Sequence, residues 1–170
     1  MTEEDAATLE RVRVRELIYK YVDCLNHRDW ARFKMCWTED AIFELTFANQ
    51  PAQPAIDHPD VENLRNMRVD GREGIMKMVS TYNNKPWLFQ RPTGIYVELD
   101  GPRDAHLRHA LHVMGHEQMQ IGICYDRARK EADGVWRLTH RNVRPSYHES
   151  HTLTGIIDRK MPEPGYEKLP

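Results

Sequence analysis

Two kinds of side chain in this sequence stand where chemistry is possible. Tyr21 falls inside an apolar stripe, with Leu17, Ile18, Val22 and Leu25 around it at the spacing of one helix face. A phenol placed in this way is either a donor kept dry for a reacting oxygen or a core aromatic whose hydroxyl finds a carbonyl. The second kind is imidazole. In the run DAHLRHALHVMGHEQ, His109 shares strand parity with Leu107, Leu111 and Val113, which turns it toward an apolar interior. His106, Arg108, His112, Met114 and His116 alternate onto the other face, although a bulge near Gly115 would bring His116 inward. A phenolic donor and a proton acceptor facing one interior are the parts of general acid–base chemistry. A lone histidine on an apolar face is, however, more often a satisfied core residue than a base. On the last predicted strand Trp136, Leu138, His140, Asn142 and Arg144 share parity. A guanidinium at the end of that face can hold a carboxylate or a polarised carbonyl; a solvated arginine before Pro145 is the plainer alternative.

The elements that must position these groups are legible in the hydrophobic pattern. Val14, Leu17, Ile18, Tyr21, Val22 and Leu25 recur with helical period while Arg13, Arg15, Glu16, Lys20 and Asp23 fall elsewhere, so residues 6–26 form an amphipathic helix. Asp29 can accept from the free amides of a second short helix carrying Trp30, Phe33 and Trp37. Phe43, Leu45 and Phe47 alternate with Ile42, Glu44 and Thr46, which predicts a first strand over residues 41–47. Residues 48–69 hold Pro51, Pro54 and Pro59 among polar residues and read as a long loop, of the kind that lids a site. Asp70 and Glu73 have capping-box spacing before a third helix that ends near Tyr82. Strands follow over residues 94–99, 105–118, 121–129 and 135–143, and a proline-rich tail occupies residues 145–170. Helices first and a strand meander after predict an α+β fold in one domain spanning residues 1–170.

Composition narrows the partners. With 24 lysines and arginines against 26 acidic residues, a net charge of −2 gives no reason to expect nucleic acid or an anionic membrane. The nine histidines would make the surface more cationic below about pH 6. Cys24, Cys36 and Cys124 are odd in number, widely spaced and set among apolar residues, which predicts buried thiols in a reducing compartment. No cysteine and histidine spacing resembles a zinc site, and no metal is expected. The acidic start Met1-Thr2-Glu3-Glu4-Asp5, with no long apolar run anywhere, predicts a cytoplasmic protein without a membrane span.

The run Tyr21-Val22-x-x-Leu25-Asn26-x-x-Asp29-Trp30, then Thr38-Glu39-Asp40-Ala41 at the first strand, then Tyr125 and Asp133-Gly134-Val135-Trp136-Arg137, resembles the SnoaL-like branch of the nuclear-transport-factor-two-like superfamily over residues 9–144. The resemblance implies a cystatin-like cone, a curved and mostly antiparallel sheet wrapped around a long N-terminal helix, with a small-molecule pocket at its open end. It also implies a homodimer or homotrimer, a small apolar ligand and no cofactor. Relatives include ketosteroid isomerase, scytalone dehydratase, bile-acid dehydratase and the non-catalytic β subunits of ring-hydroxylating dioxygenases. Ketosteroid isomerase carries a similar Tyr-Val-x-x-Leu-Asn run, which implies that Tyr21, helped by Asn26, donates to a developing enolate. Tyr125 matches a pocket-wall position, Arg144 lies near an arginine of the bile-acid dehydratase, and an inward His116 would lie near a histidine of scytalone dehydratase.

The sequence departs from these relatives at the base. Asn26 stands where the dehydratases keep an aspartate, Leu45 where the isomerase keeps one, and Gln90 and Arg91 near the dehydratase histidine. His109 and His116 are the remaining proton carriers. Two functions follow as expectations: a cofactor-independent lyase or isomerase acting on a small apolar carbonyl compound such as a steroid, polyketide or aromatic metabolite, or a non-catalytic ligand carrier or structural subunit like the dioxygenase β chains. Fold alone does not separate them.

Overall fold

The computed structural model describes residues 2–46, 53–54, 67–82, 89–114 and 119–147. The first helix, α1 (Glu3–His27), starts on a capping box: Thr2 accepts from the Asp5 amide at 3.1 Å, and the Asp5 carboxylate accepts from the Thr2 amide at 2.8 Å. Arg28 ends it in the left-handed conformation at φ 57°. Its buried stripe is Val14, Leu17, Ile18, Tyr21, Val22, Cys24 and Leu25, as the helical period predicts. Asp29 then caps α2 (Trp30–Lys34), accepting from the Arg32 amide at 3.1 Å. The three cysteines are free and buried, in keeping with the reading of their surroundings.

Among the described residues seven strands form one mixed sheet: β1 (Trp37–Leu45), β2 (Gln53–Pro54), β3 (Met67–Asp70), β4 (Phe89–Asp100), β5 (Asp104–Met114), β6 (Met119–Lys130) and β7 (Trp136–Tyr147). Their order is β2-β3-β1-β7-β6-β5-β4. The β1–β7 and β2–β3 pairs are parallel and the other four antiparallel. The long helix lies on the inner face of this curved sheet, the α+β arrangement that the sequence predicts. Trp136 Nε1 and Lys130 Nζ both donate to Glu10, at 2.6 and 2.9 Å, and tie the helix to the β6–β7 end. Between helix and sheet, the rings of Tyr21, Trp30, Phe33 and Trp37 pack in tilted and edge-on pairs.

Several expectations change, with Trp37 opening β1 instead of sitting on the second helix and β7 running to Tyr147, past the predicted start of the tail. The end of the predicted loop is strand: Met67 and Val69 are buried while Arg68 and Asp70 are exposed, and β3 pairs with β1. Most of residues 48–66 and all of the tail from residue 148 lie outside the described residues. Asp70 does not cap the third helix, α3 (Arg72–Tyr82), because its carboxylate is taken by Arg68 at 2.9 Å. Gly71 precedes the helix at φ 78°, and its carbonyl accepts the Ile75 amide.

One irregularity decides what the sheet shows to its interior. Arg127 pairs with His140 but Ala128 pairs with Leu138, so β7 carries an extra residue, Thr139, whose hydroxyl donates to the Arg127 carbonyl at 3.3 Å. Beyond the bulge the parity of β7 is inverted: Trp136 and Leu138 face in, and so do Arg141 and Val143. Deleting Thr139 is therefore expected to turn Arg141 outward and destabilise the chain by about 3–5 kcal/mol, the scale of a broken buried ion pair. Urea unfolding followed by circular dichroism checks this; an unchanged midpoint would show that the bulge carries no such duty.

Candidate active site

The inner face of the sheet is a stack of cross-strand rungs. One runs Phe43, Arg141, Asp126, Leu107, Val97 across β1, β7, β6, β5 and β4; the next runs Leu45, Val143, Cys124, His109 across β1, β7, β6 and β5. Arg141 and Asp126 are thus direct cross-strand neighbours, with His109 on the diagonal. The three side chains meet. Arg141 Nε donates to Asp126 Oδ1 at 2.9 Å and Nη2 to Oδ2 at 2.7 Å, a forked pair. His109 Nε2 lies 3.1 Å from Asp126 Oδ2 and 3.0 Å from Arg141 Nη2, while Nδ1 lies 3.2 Å from the Ala110 carbonyl.

Tyr21 closes the group from the helix side. Its ring lies under the Arg141 guanidinium, whose carbon is 3.9 Å from the ring centroid, a cation–π contact inside the protein. Relative exposures are 3% for Tyr21, 1% for His109, 2% for Asp126 and 0% for Arg141. Arg141 Nη1 is buried and has no hydrogen-bond partner among the described residues. A buried donor left open is costly and marks a place where an acceptor would be welcome.

Electrostatics follow from this geometry. Burial pushes Asp126 up, but the Arg141 cation and the bonds from Arg141 and His109 outweigh it and hold the carboxyl at about 2. Arg141 is desolvated, yet the Asp126 carboxylate raises its affinity for the proton further. Burial pushes Tyr21 up to about 12 against the opposing Arg141 charge, so the phenol remains a donor through the neutral range. Cys124, one rung from Asp126, is likewise raised to about 12 by burial and stays a thiol. With its proton on Nδ1, His109 donates to the Ala110 carbonyl and Nε2 accepts from Arg141 Nη2; with the proton on Nε2, it donates to Asp126 Oδ2 instead.

Of the residues singled out in the sequence, Tyr21 and His109 are brought together, both touching Arg141. Asn26 is engaged differently from the predicted helper of Tyr21. Its Nδ2 donates to the Gln90 carbonyl at 2.9 Å and its Oδ1 accepts the Gln90 amide at 2.8 Å, so its amide is spent on the β4 backbone. Tyr125 and Arg144, read as pocket wall and cone mouth, stand on the outer face, with Arg144 4.8 Å above the Tyr125 ring. The reasons are parity and the bulge: even residues of β6 face in, and after Thr139 the odd residues of β7 do. His116 lies outside the described residues. Sequence reasoning missed Asp126 and Arg141. Asp126 has the same parity as Cys124 and Ala128, a signal hidden by the apolar Ile121 and Ile123 at odd positions.

A family model for a SnoaL-like domain matches residues 6–142. The chain belongs to the SnoaL-like domain family. A search of curated proteins finds no match. Among solved structures, a Mycobacterium tuberculosis protein of unknown function is 21% identical at a TM-score of 0.66, covering 89% of this chain and 80% of its own. A hexachlorocyclohexane dehydrochlorinase of LinA type from Novosphingobium barchaimii is 17% identical at 0.63, covering 85% and 92%. A ketosteroid isomerase-like protein from Erwinia carotovora atroseptica is 13% identical at 0.59, covering 82% and 98%. The fold shared with solved structures is the nuclear-transport-factor-two-like, cystatin-like one that the motifs resemble. No helix among the described residues is long and apolar enough to cross a membrane.

Two measurements test the cluster. Asp126→Asn leaves Arg141 buried without its counter-ion and is expected to destabilise by about 3–5 kcal/mol, whereas the paired change Asp126→Leu with Arg141→Met recovers most of that loss. An Asp126→Asn midpoint equal to wild type in urea would contradict the burial described above. The second concerns pH. A carboxyl whose folded value lies below its unfolded one, about 3.9, contributes stability that is complete above about pH 4 and is lost as pH falls toward about 2. Asp126 supplies roughly 2 kcal/mol of that slope, and the paired Leu/Met variant should lack it.

Proposed function

We infer that the protein is a cofactor-independent lyase or isomerase acting on a small, mostly apolar carbonyl compound. The observation that carries this reading is the open donor Arg141 Nη1 beside the Tyr21 phenol and the His109 imidazole. A carbonyl oxygen bound there gains charge as its α-proton leaves, and a fixed cation and a neutral phenol stabilise that charge more in the transition state than in the ground state. When Arg141 turns its fork toward the substrate oxygen, the bond from Nη2 to His109 Nε2 is released, and that nitrogen can take the α-proton. Asp126, 3.1 Å away, then accepts from the new imidazolium without moving. The proton returns to another carbon in an isomerase, or a β-hydroxyl or other leaving group departs in a lyase. The dehydrochlorinase and isomerase-like names among fold neighbours support an elimination or proton-transfer chemistry of this type.

A specific observation favours a second reading. Both nitrogens of His109 and both oxygens of Asp126 already have partners, as a brace in the core of a non-catalytic ligand carrier would. The test that separates the two is exchange of α-protons for solvent deuterium in small cyclic ketones, followed by NMR. Catalysis predicts exchange by wild type and a loss of about 100-fold or more in Tyr21→Phe, which keeps the ring under Arg141 and so keeps the fold. Exchange at the same rate in both proteins removes the phenol from the mechanism; ketone binding with no exchange in either establishes the carrier.

A further inference from the structure

The inner face of β6 carries one position that the chemistry described so far leaves unused. Burial on this strand falls on Gly122, Cys124, Asp126 and Ala128, so these four face the interior, and Gly122 brings no side chain to it. Its rung pairs it with Leu111 on β5 and Pro145 on β7, and Leu111 in turn pairs with Pro92 on β4. The rung beneath holds His109, Cys124, Val143 and Leu45, and the Arg141–Asp126 rung lies one step deeper.

The backbone does not call for glycine there. Gly71, Gly94, Gly101 and Gly134 take positive φ, whereas Gly122 lies within strand with partners on both sides. The register shift beside it places the extra residue, Ser146, on β7 and not on β6. A strand glycine without such a duty weakens its ladder and commonly marks where a ligand comes close. The packing around it agrees. Among the described elements α1 packs chiefly along β4 and α3 on β1 and β3, and neither runs along β6. Leu45 and Val143 on the rung beneath and Val113 above are half-buried, whereas Leu107 and Leu138, deeper in, are 3% and 0% exposed. The same interior holds Arg141 Nη1, a fully buried donor with no partner among the described residues.

We propose that Gly122 is a specificity-determining position: its missing side chain makes room for an apolar group that the substrate carries beyond the reacting carbonyl, such as a second ring fused to the first. This rests on the carbonyl chemistry inferred above, with the substrate oxygen at Arg141 Nη1. Same-face neighbours on a strand are about 7 Å apart, so a single ring over the Arg141 rung ends near Cys124 while a fused pair reaches Gly122. A methyl group added at residue 122 would meet the second ring and leave the first untouched. Leu111 and Cys124 form apolar walls beside the recess, Leu111 at 4% exposure and Cys124 at 0%.

The test compares cyclohexanone with the fused bicyclic 2-decalone, in equilibrium binding followed by ligand NMR and in the deuterium exchange described above. Wild type should prefer 2-decalone. Gly122→Ala should cut that preference about tenfold or more, the scale of one methyl group in a fitted apolar pocket. It should melt no lower than wild type, because an extended position accepts alanine without strain. A preference that survives the substitution overturns the proposal. So does a clear fall in melting temperature, which would mean that protein atoms already fill the space. Binding and exchange keep the two readings apart. A preference lost in binding, with no exchange of either ketone by wild type, keeps Gly122 as the size limit and removes the reaction; exchange with unchanged preference does the reverse. No binding of either ketone by wild type overturns both.

Discussion

Placing a guanidinium and a carboxylate together in the middle of an apolar sandwich is the constraint around which this fold is arranged. The forked Arg141–Asp126 pair is buried from solvent, so each partner depends on the other for its solvation. The surroundings keep that dependence satisfied. Phe43 and Leu107 flank the pair along its own rung, Tyr21 lies across the guanidinium, and His109 Nε2 lies within hydrogen-bond reach of both partners. Geometry this closed requires fixed strand register, because a slip of one residue would carry a charge to the wrong side of the sheet. The meander of β4 to β7, with its long antiparallel pairs, supplies that register.

The same arrangement gives the interior its chemical character. A cation and an anion that neutralise each other leave a polar but uncharged patch in an otherwise apolar interior. Under the function proposed above, a neutral carbonyl that develops charge during reaction gains more there than a substrate that is charged from the start, because only the changing charge is unbalanced. Burial works in the same direction on the phenol and on the thiol of Cys124, keeping both protonated and hence unable to compete as nucleophiles. The interior thus suits proton transfer better than covalent catalysis.

Much of the framework is legible in the sequence because hydrophobic period reports it directly. The stripe from Val14 to Leu25, the Asp29 cap and the inward turn of His109 each follow from a local rule that tertiary packing does not override. The site is less legible, and for a definite reason. Strand parity reads a side chain's face only until a bulge intervenes, and Thr139 interrupts β7 with neither glycine nor proline to announce it. Counting by twos from Trp136 therefore selects His140, Asn142 and Arg144 and passes over Arg141. On β6 the error has another source: Ile123 is half-buried on the outer face, so an apolar residue points away from the core and a carboxylate into it. A buried ion pair is invisible to any rule that equates inward with apolar.

Asn26 has an effect on the whole particle that reaches past the cone. Among the described strands β4 ends the order, and an end strand is where a sheet's backbone groups need other partners. The carboxamide of Asn26 occupies both polar groups of Gln90 on that border, imitating one step of a neighbouring strand, and two residues later Pro92 has no amide hydrogen to offer. A carboxamide in place of a carboxylate thus serves the border of the sheet, capping one backbone step of its end strand.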